Sequence, residues 1–207
     1  LIGDNMWGLV ESGSITKLIN KPKGMVIGDT RHSRKIFELW SKSELEAIGI
    51  YEVEYDNTNQ KNETWYINTD QSFAFAGGKI TASYGSATAK AHADTLYTAD
   101  DESNGLGTEG EVKIEGLKTQ LIRTVKQEAA QELTRTDWYI VRKADANTAI
   151  PSAITNHRAA VRTKCAEMET AITNASDTPA LETLYTYTKQ EDGSHTRPLG
   201  ELPTLEV

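Results

Sequence analysis

One cysteine in 207 residues, Cys165, leaves nothing for an internal disulfide, so folding in a reducing cytoplasm is the natural expectation. Positive charge is also scarce: 22 Lys and Arg stand against 30 Asp and Glu, a net charge of −8. Nucleic-acid affinity depends on clustered cations that release counterions, so nucleic acid is not an expected partner. No apolar run approaches the roughly 20 residues that cross a bilayer, and membrane insertion is not expected either. Leu1-Ile2-Gly3-Asp4-Asn5 lacks the basic stretch and apolar core of a secretory signal. Either Met6 is the true or alternative start, or Leu1 reflects an unusual initiation codon.

The residues that carry chemistry are present but dispersed. The four histidines, His32, His92, His157 and His195, have no histidine or carboxylate at ligand spacing, so no metal site is expected. His157 reads as a residue on the polar face of a helix. Cys165 is flanked by a helical apolar seam, which suits a small buried hydrophobe better than an activated thiolate. Gly77-Gly78 and Gly105-Leu106-Gly107 lack the Lys-Ser/Thr ending of a phosphate loop, and turns explain both. Asp100 with Asp101, and Glu167 with Glu169, read as solvating surface, because neighbours at these spacings do not converge on a shared point. No catalytic residue, cofactor or metal is therefore expected. A wall-degrading enzyme would need paired carboxylates in a cleft, which nothing here supplies.

What is present is secondary-structure patterning of two kinds. Residues 1–98 hold short β-branched and aromatic runs separated by Gly, Asn, Asp and Ser, the signature of a hairpin-rich β domain. Trp7–Val10 and Ile15–Ile19 flank Glu11-Ser12-Gly13-Ser14, which reads as a hairpin, and Gly24–Gly28 forms a further extended run. Ser41 opens a short helix that stops at Gly49. Ile50–Tyr55 alternates as a half-buried strand, with Thr64–Asn68 as its expected partner. Phe73, Phe75, Gly77-Gly78, Ile80 and Ala82 give the clearest hairpin in the chain.

Residues 99–112 carry five acids, three glycines and no Lys or Arg, and read as an acidic Gly-rich linker. Residues 113–188 form a helical association domain. Ile114, Leu117, Leu121, Val125, Ala129 and Leu133 make one amphipathic stripe, although Gly116 weakens its first turn. Thr136–Arg142 is aromatic and β-branched, a strand or an extended link that packs Trp138 on the helices. Pro151-Ser152 opens a second helix whose seam is Ile154, Val161, Cys165, Met168 and Ile172, with Arg158 at the remaining position. Thr178-Pro179 starts a third, and residues 189–207 form an extended tail. The fold class is thus α+β: a β docking half, then a helical hairpin or small bundle.

Two helices with narrow apolar seams often associate between copies, so a homo-oligomer is expected through residues 113–175, with Ile154, Val161, Cys165, Met168 and Ile172 at the contact. In the N-terminal half, Arg31, His32, Arg34 and Lys35 form the only basic cluster. Arg31 and Arg34, with Trp7 and Trp40, are the candidate partner-binding residues there. A charged loop beside core aromatics is the competing reading. Tyr185 and Tyr187 are the best candidates for a surface aromatic pair.

Two stretches carry a family resemblance. Met6-Trp7-Gly8-Leu9-Val10-Glu11-Ser12-Gly13-Ser14-Ile15, running on to Lys21-Pro22, with Gly28-Asp29 and Ile36-Phe37-Glu38-Leu39-Trp40-Ser41, resembles the N-terminal module of tail proteins of marine and cyanobacterial phages. Thr136-Asp137-Trp138-Tyr139-Ile140-Val141-Arg142-Lys143, with Ile150-Pro151 and Arg158–Arg162, is similar to the C-terminal segment of phage tail-fibre and tail-assembly proteins. The tail departs from that pattern, Leu202 standing where relatives carry Trp. The resemblance implies a structural component of the virion tail, a tail-fibre base or baseplate-attached subunit, made in the host cytoplasm before assembly. Its implied partners are other tail or baseplate proteins. A tail-fibre assembly chaperone that leaves the particle is the alternative.

Overall fold

Alternation of apolar and polar side chains in the first third of the chain produces a curled sheet with a core on each face. In the computed structural model residues 6–205 are described, and the chain divides after Thr88 into two compact units. Leu1, one of the two candidate starts, lies outside the described residues.

In the first unit β1 (Trp7–Glu11) and β2 (Ser14–Ile19) pair antiparallel around Ser12 and Gly13, both at positive φ, as a two-residue hairpin turn requires. A second hairpin, β3 (Met25–Ile27) and β4 (Thr30–His32), leads into α1 (Ile36–Leu39) and α2 (Lys42–Ala47). Ser41 caps α2 reciprocally with Glu44, and the Ser41 amide and hydroxyl hold the Glu44 carboxyl below its ordinary value. The helix ends at Gly49, whose φ is +82° and whose missing Cβ would lie 2.6 Å from the Val10 carbonyl oxygen. Only glycine meets both conditions.

From there β5 (Ile50–Asp56) runs beside β1, followed by β6 (Tyr66–Ile67), β7 (Gln71–Ala76) and β8 (Lys79–Tyr84). The sheet order is β2-β1-β5-β8-β7, with β5 and β8 parallel and the other neighbours antiparallel. The expected pairing of Thr64–Asn68 with β5 is not formed, because both edges of β5 are taken, by β1 and by β8. The edge strands β2 and β7 approach one another, so the sheet curls. Trp7, Leu9, Ile19 and Ile50 face a core closed by Met25, Ile36 and Leu45. Val53, Ile80 and Ala82 face the other, with Val10, Ile15, Phe73 and Phe75. Gly8 leaves room there, since a Cβ would sit 2.4 Å from Ile80 Cδ1.

After β9 (Thr88–Ala89) at the joint, β10 (Thr95–Leu96) pairs with β11 (Val112–Ile114) around α3 (Ala99–Ser103). The segment expected to be a linker is therefore folded. Thr98 and Asp101 form a capping box, and Lys113 Nζ lies 2.7 Å from Asp101, so local hydrogen bonds order a stretch with no apolar pattern. Then come α4 (Leu117–Thr134), α5 (Asp137–Ala146), α6 (Ser152–Asn174) and α7 (Thr178–Tyr185). Gly116 is the N-cap of α4, which places Ile114 in β11 and outside the helix. The tail forms a small hairpin, β12 (Thr188–Lys189) with β13 (His195–Thr196), before Leu199 is buried and its amide bonds the Leu184 carbonyl. The protein is α+β, strand-rich first and helical after.

Candidate functional site

Helices α4 and α6 lie antiparallel, as the order of their cross-contacts shows: Lys118 Nζ bonds the Thr173 carbonyl, Lys126 pairs with Glu169, and Glu132 meets His157. The seam between them is interior. Ile154, Val161, Cys165, Met168 and Ile172 are all buried, alongside Val125 and Ala129 of α4, Leu181 of α7 and Leu199 of the tail. These five residues were the expected partner contacts, and within one chain they are already covered. Four of them only pack the core, and Cys165, buried on the seam, also borders an open groove.

Arg158 sits in the same layer. Its Nη1 donates to the Leu133 carbonyl at 2.8 Å, to Thr136 Oγ1 at 2.7 Å and to Asp137 Oδ1 at 2.8 Å. It thereby satisfies a carbonyl at the end of α4 and the first acid of α5 at once. His157, expected on a polar face, is buried next to it, with Nε2 3.1 Å from Glu132 Oε1. Burial pushes the Glu132 carboxyl up. Hydrogen bonds from Arg135 and the Leu205 amide, with the charges of Arg135 and His157, outweigh that and hold it below its ordinary value. Glu132 thus joins α4, α6 and the C-terminal segment.

Along the α4–α6 pair the seam opens at one place. Lys126, Ala129, Ala130, Leu133, Arg162, Cys165, Ala166 and Glu169 line a groove of about 310 Å³. Glu169 is half-buried and engaged, accepting from Cys165 Sγ at 3.4 Å and pairing with Lys126 at 3.1 Å, so it is more than the solvating acid its spacing suggests. Burial, then the Glu169 hydrogen bond and charge, push the Cys165 thiol up, so it is not an activated nucleophile.

A second exposed feature is α5. Thr136–Arg142, expected as a strand or extended link, belongs mainly to this helix, which has no fully buried residue. Asp137 in its first turn, Lys143 in its last and Asn147 in the left-handed region beyond it supply the end chemistry of a helix. Trp138 is 51% exposed and Val141 66%, and Ile140 is also exposed. The Arg142 guanidinium lies 4.7 Å from the Trp138 ring centre and 5.3 Å from that of Tyr139. Trp138 therefore does not pack into the bundle.

The N-terminal candidates do not form one surface. Trp7 is buried against Phe37, with ring centres 5.0 Å apart, and belongs to the core. Arg31 is exposed on β4, Arg34 pairs with Glu38 at 3.1 Å, and the Trp40 ring stands edge-on to His32 at 5.6 Å. Trp7, Phe37, Trp40 and Lys42 border a cavity of about 160 Å³. At the C-terminus the Arg197 guanidinium lies 5.2 and 5.3 Å from the ring centres of Tyr185 and Tyr187, but only Tyr187 is exposed and Tyr185 is half-buried, so the two are not a matched surface pair.

Among the described residues no group of three or more His, Cys, Asp or Glu is placed to hold a metal ion, and no helix is long and apolar enough to cross a membrane. The chain matches no protein-family model, no curated protein and no solved structure. Pattern reading missed Ala129, Ala130, Arg162, Ala166 and Glu169 as a group. The available signal was the recurrence of small residues on α6 beside the apolar seam.

Proposed function

We propose that this chain is a structural, partner-binding protein of a tailed-phage particle, acting through its helical unit. The observation that carries the partner-binding part is the pair of uncovered surfaces on a unit whose seam is otherwise closed: the α4–α6 groove and the exposed Trp138, Ile140 and Val141 of α5. Exposed apolar side chains accompanied by an aromatic ring and an arginine, as at Trp138 and Arg142, are the composition found at contact sites. The phage assignment rests on the resemblance of Met6–Ile15 and of the Thr136–Lys143 segment to tail proteins, and the second of these falls on α5. Tail or baseplate proteins are the partners this reading calls for, in the virion.

The alternative, a tail-fibre assembly chaperone, is favoured by one feature: an apolar helix face exposed in the free chain suits a client that is bound and later released. Quantitative mass spectrometry of purified particles and of infected lysate tests both. A fixed copy number per particle is the expected result. Detection only in lysate selects the chaperone, and absence from both, or wall degradation in a zymogram, removes the proposal.

A further inference from the structure

Resting on that partner-binding reading, we infer that a second copy of this chain covers the α4–α6 groove, about a two-fold axis passing between Cys165 and Ala166, with Arg162 of each copy paired to Glu169 of the other. The groove centre is built from small side chains, Ala129, Ala130, Cys165 and Ala166, with Leu133 beside them. Two helices can approach closely there without moving a large residue. Charge then selects the occupant. Arg162 is exposed on the rim, and its hydrogen bond goes to the carbonyl of Arg158 on its own helix, at 3.5 Å. Among the described residues it makes no ion pair. Glu169, one groove-length away on the same helix, is the acid its face offers.

The spacing is self-complementary. Arg162 and Glu169 are two helical turns apart, about 10 Å along the axis. The midpoint between them falls between Cys165 and Ala166, the narrowest side chains of the groove on α6. When two α6 helices cross antiparallel about that midpoint, each Arg162 faces the other copy's Glu169. A two-fold contact pairs residue i with j and j with i, so one complementary pair is used twice. A chain of net charge −8 repels its own copies at long range, and a reciprocal pairing of opposite charges at the contact offsets part of that repulsion. Lys126, held 3.1 Å from Glu169, adds a second cation beside the same carboxylate.

Sedimentation velocity of the full chain over a concentration series, with charge-reversal variants, tests the geometry. The wild type is expected to dimerise. Arg162→Glu and Glu169→Arg should each weaken the dimer at least tenfold, with circular dichroism and melting temperature showing the fold retained. The double variant R162E/E169R should restore it, an outcome that loss of folding cannot imitate. Ala166→Cys in a Cys165→Ser background should cross-link as a dimer under mild oxidation. A monomer at all concentrations, a dimer indifferent to both reversals, or a swap that fails to restore association overturns the inference. The two readings fail separately: a monomer still present at fixed stoichiometry in particles ends the two-fold contact alone, whereas a rescued dimer absent from particles ends the phage reading alone.

Discussion

Arg158 shows how a residue that breaks an apolar seam can be the one that organises it. Position 158 interrupts the run of Ile154, Val161, Cys165, Met168 and Ile172, yet its side chain is only 10% exposed and is hydrogen-bonded to Leu133, Thr136 and Asp137. Arg158→Ala removes the guanidinium that donates to the buried Thr136 hydroxyl and to the Asp137 carboxylate, while the Leu133 carbonyl keeps its bonds from Thr136, an expected loss of about 2–4 kcal/mol in urea denaturation. Arg158→Lys should recover only part of it, because an ammonium cannot reproduce the guanidinium fork. At Asp101 the residue scale sets a pH dependence. The Lys113 hydrogen bond, with those of Thr98, holds the carboxyl down at about 2, against an ordinary 3.8. A folded value below the unfolded one stabilises above the unfolded value and loses that contribution as pH falls from about 4 towards 2. Carboxyl NMR titration should find Asp101 still ionised near pH 3, and Asp101→Asn should remove its share of the acid-induced loosening of residues 95–114. A midpoint near 4 would show that the pairing with Lys113 is not maintained in solution.

Among the elements, the two long helices were legible and the short one between them was not. The three- and four-residue recurrence of Val125, Ala129 and Leu133, and of Val161, Cys165 and Met168, follows directly from burial on one face. Trp138-Tyr139-Ile140-Val141 reads equally as a strand, since its residue types favour extended backbone. The helix wins because Arg158, twenty-one residues downstream, fixes its first acid, and no local pattern contains that contact. The parallel pairing of β5 with β8 was hidden for the same reason, being made across the intervening β7 hairpin partner. The candidate groove was hidden because alanine carries little pattern signal. These assignments give opposite expectations for two large side chains. Met168, 1% exposed, should cost about 2–5 kcal/mol as Met168→Ala. Trp138→Ala should leave thermal stability within about 0.5 kcal/mol, as surface changes do, while reducing capture of the partner. A Trp138→Ala protein that melts as early as Met168→Ala would place Trp138 in a core and remove α5 as a contact surface.

For the whole molecule, the division after Thr88 leaves each unit with buried residues of its own, Trp7, Ile19 and Ile50 on one face of the sheet and Ile80 on the other in the first, and Val125, Val161, Met168 and Leu181 in the second. Cores that share no buried residue can unfold as separate cooperative events. Gly49→Ala and Met168→Ala act on different cores. The first forces a side chain into the left-handed region 2.6 Å from the Val10 carbonyl oxygen, at a cost of about 1–3 kcal/mol. The second opens a cavity in the helical unit. Differential scanning calorimetry should resolve two transitions, each variant lowering one of them by several degrees, at about 4–8 °C per kcal/mol for a domain of roughly 60–100 residues. A single transition displaced by both variants would mean that the units fold as one. Independent transitions would let the helical unit change its association without disturbing the sheet.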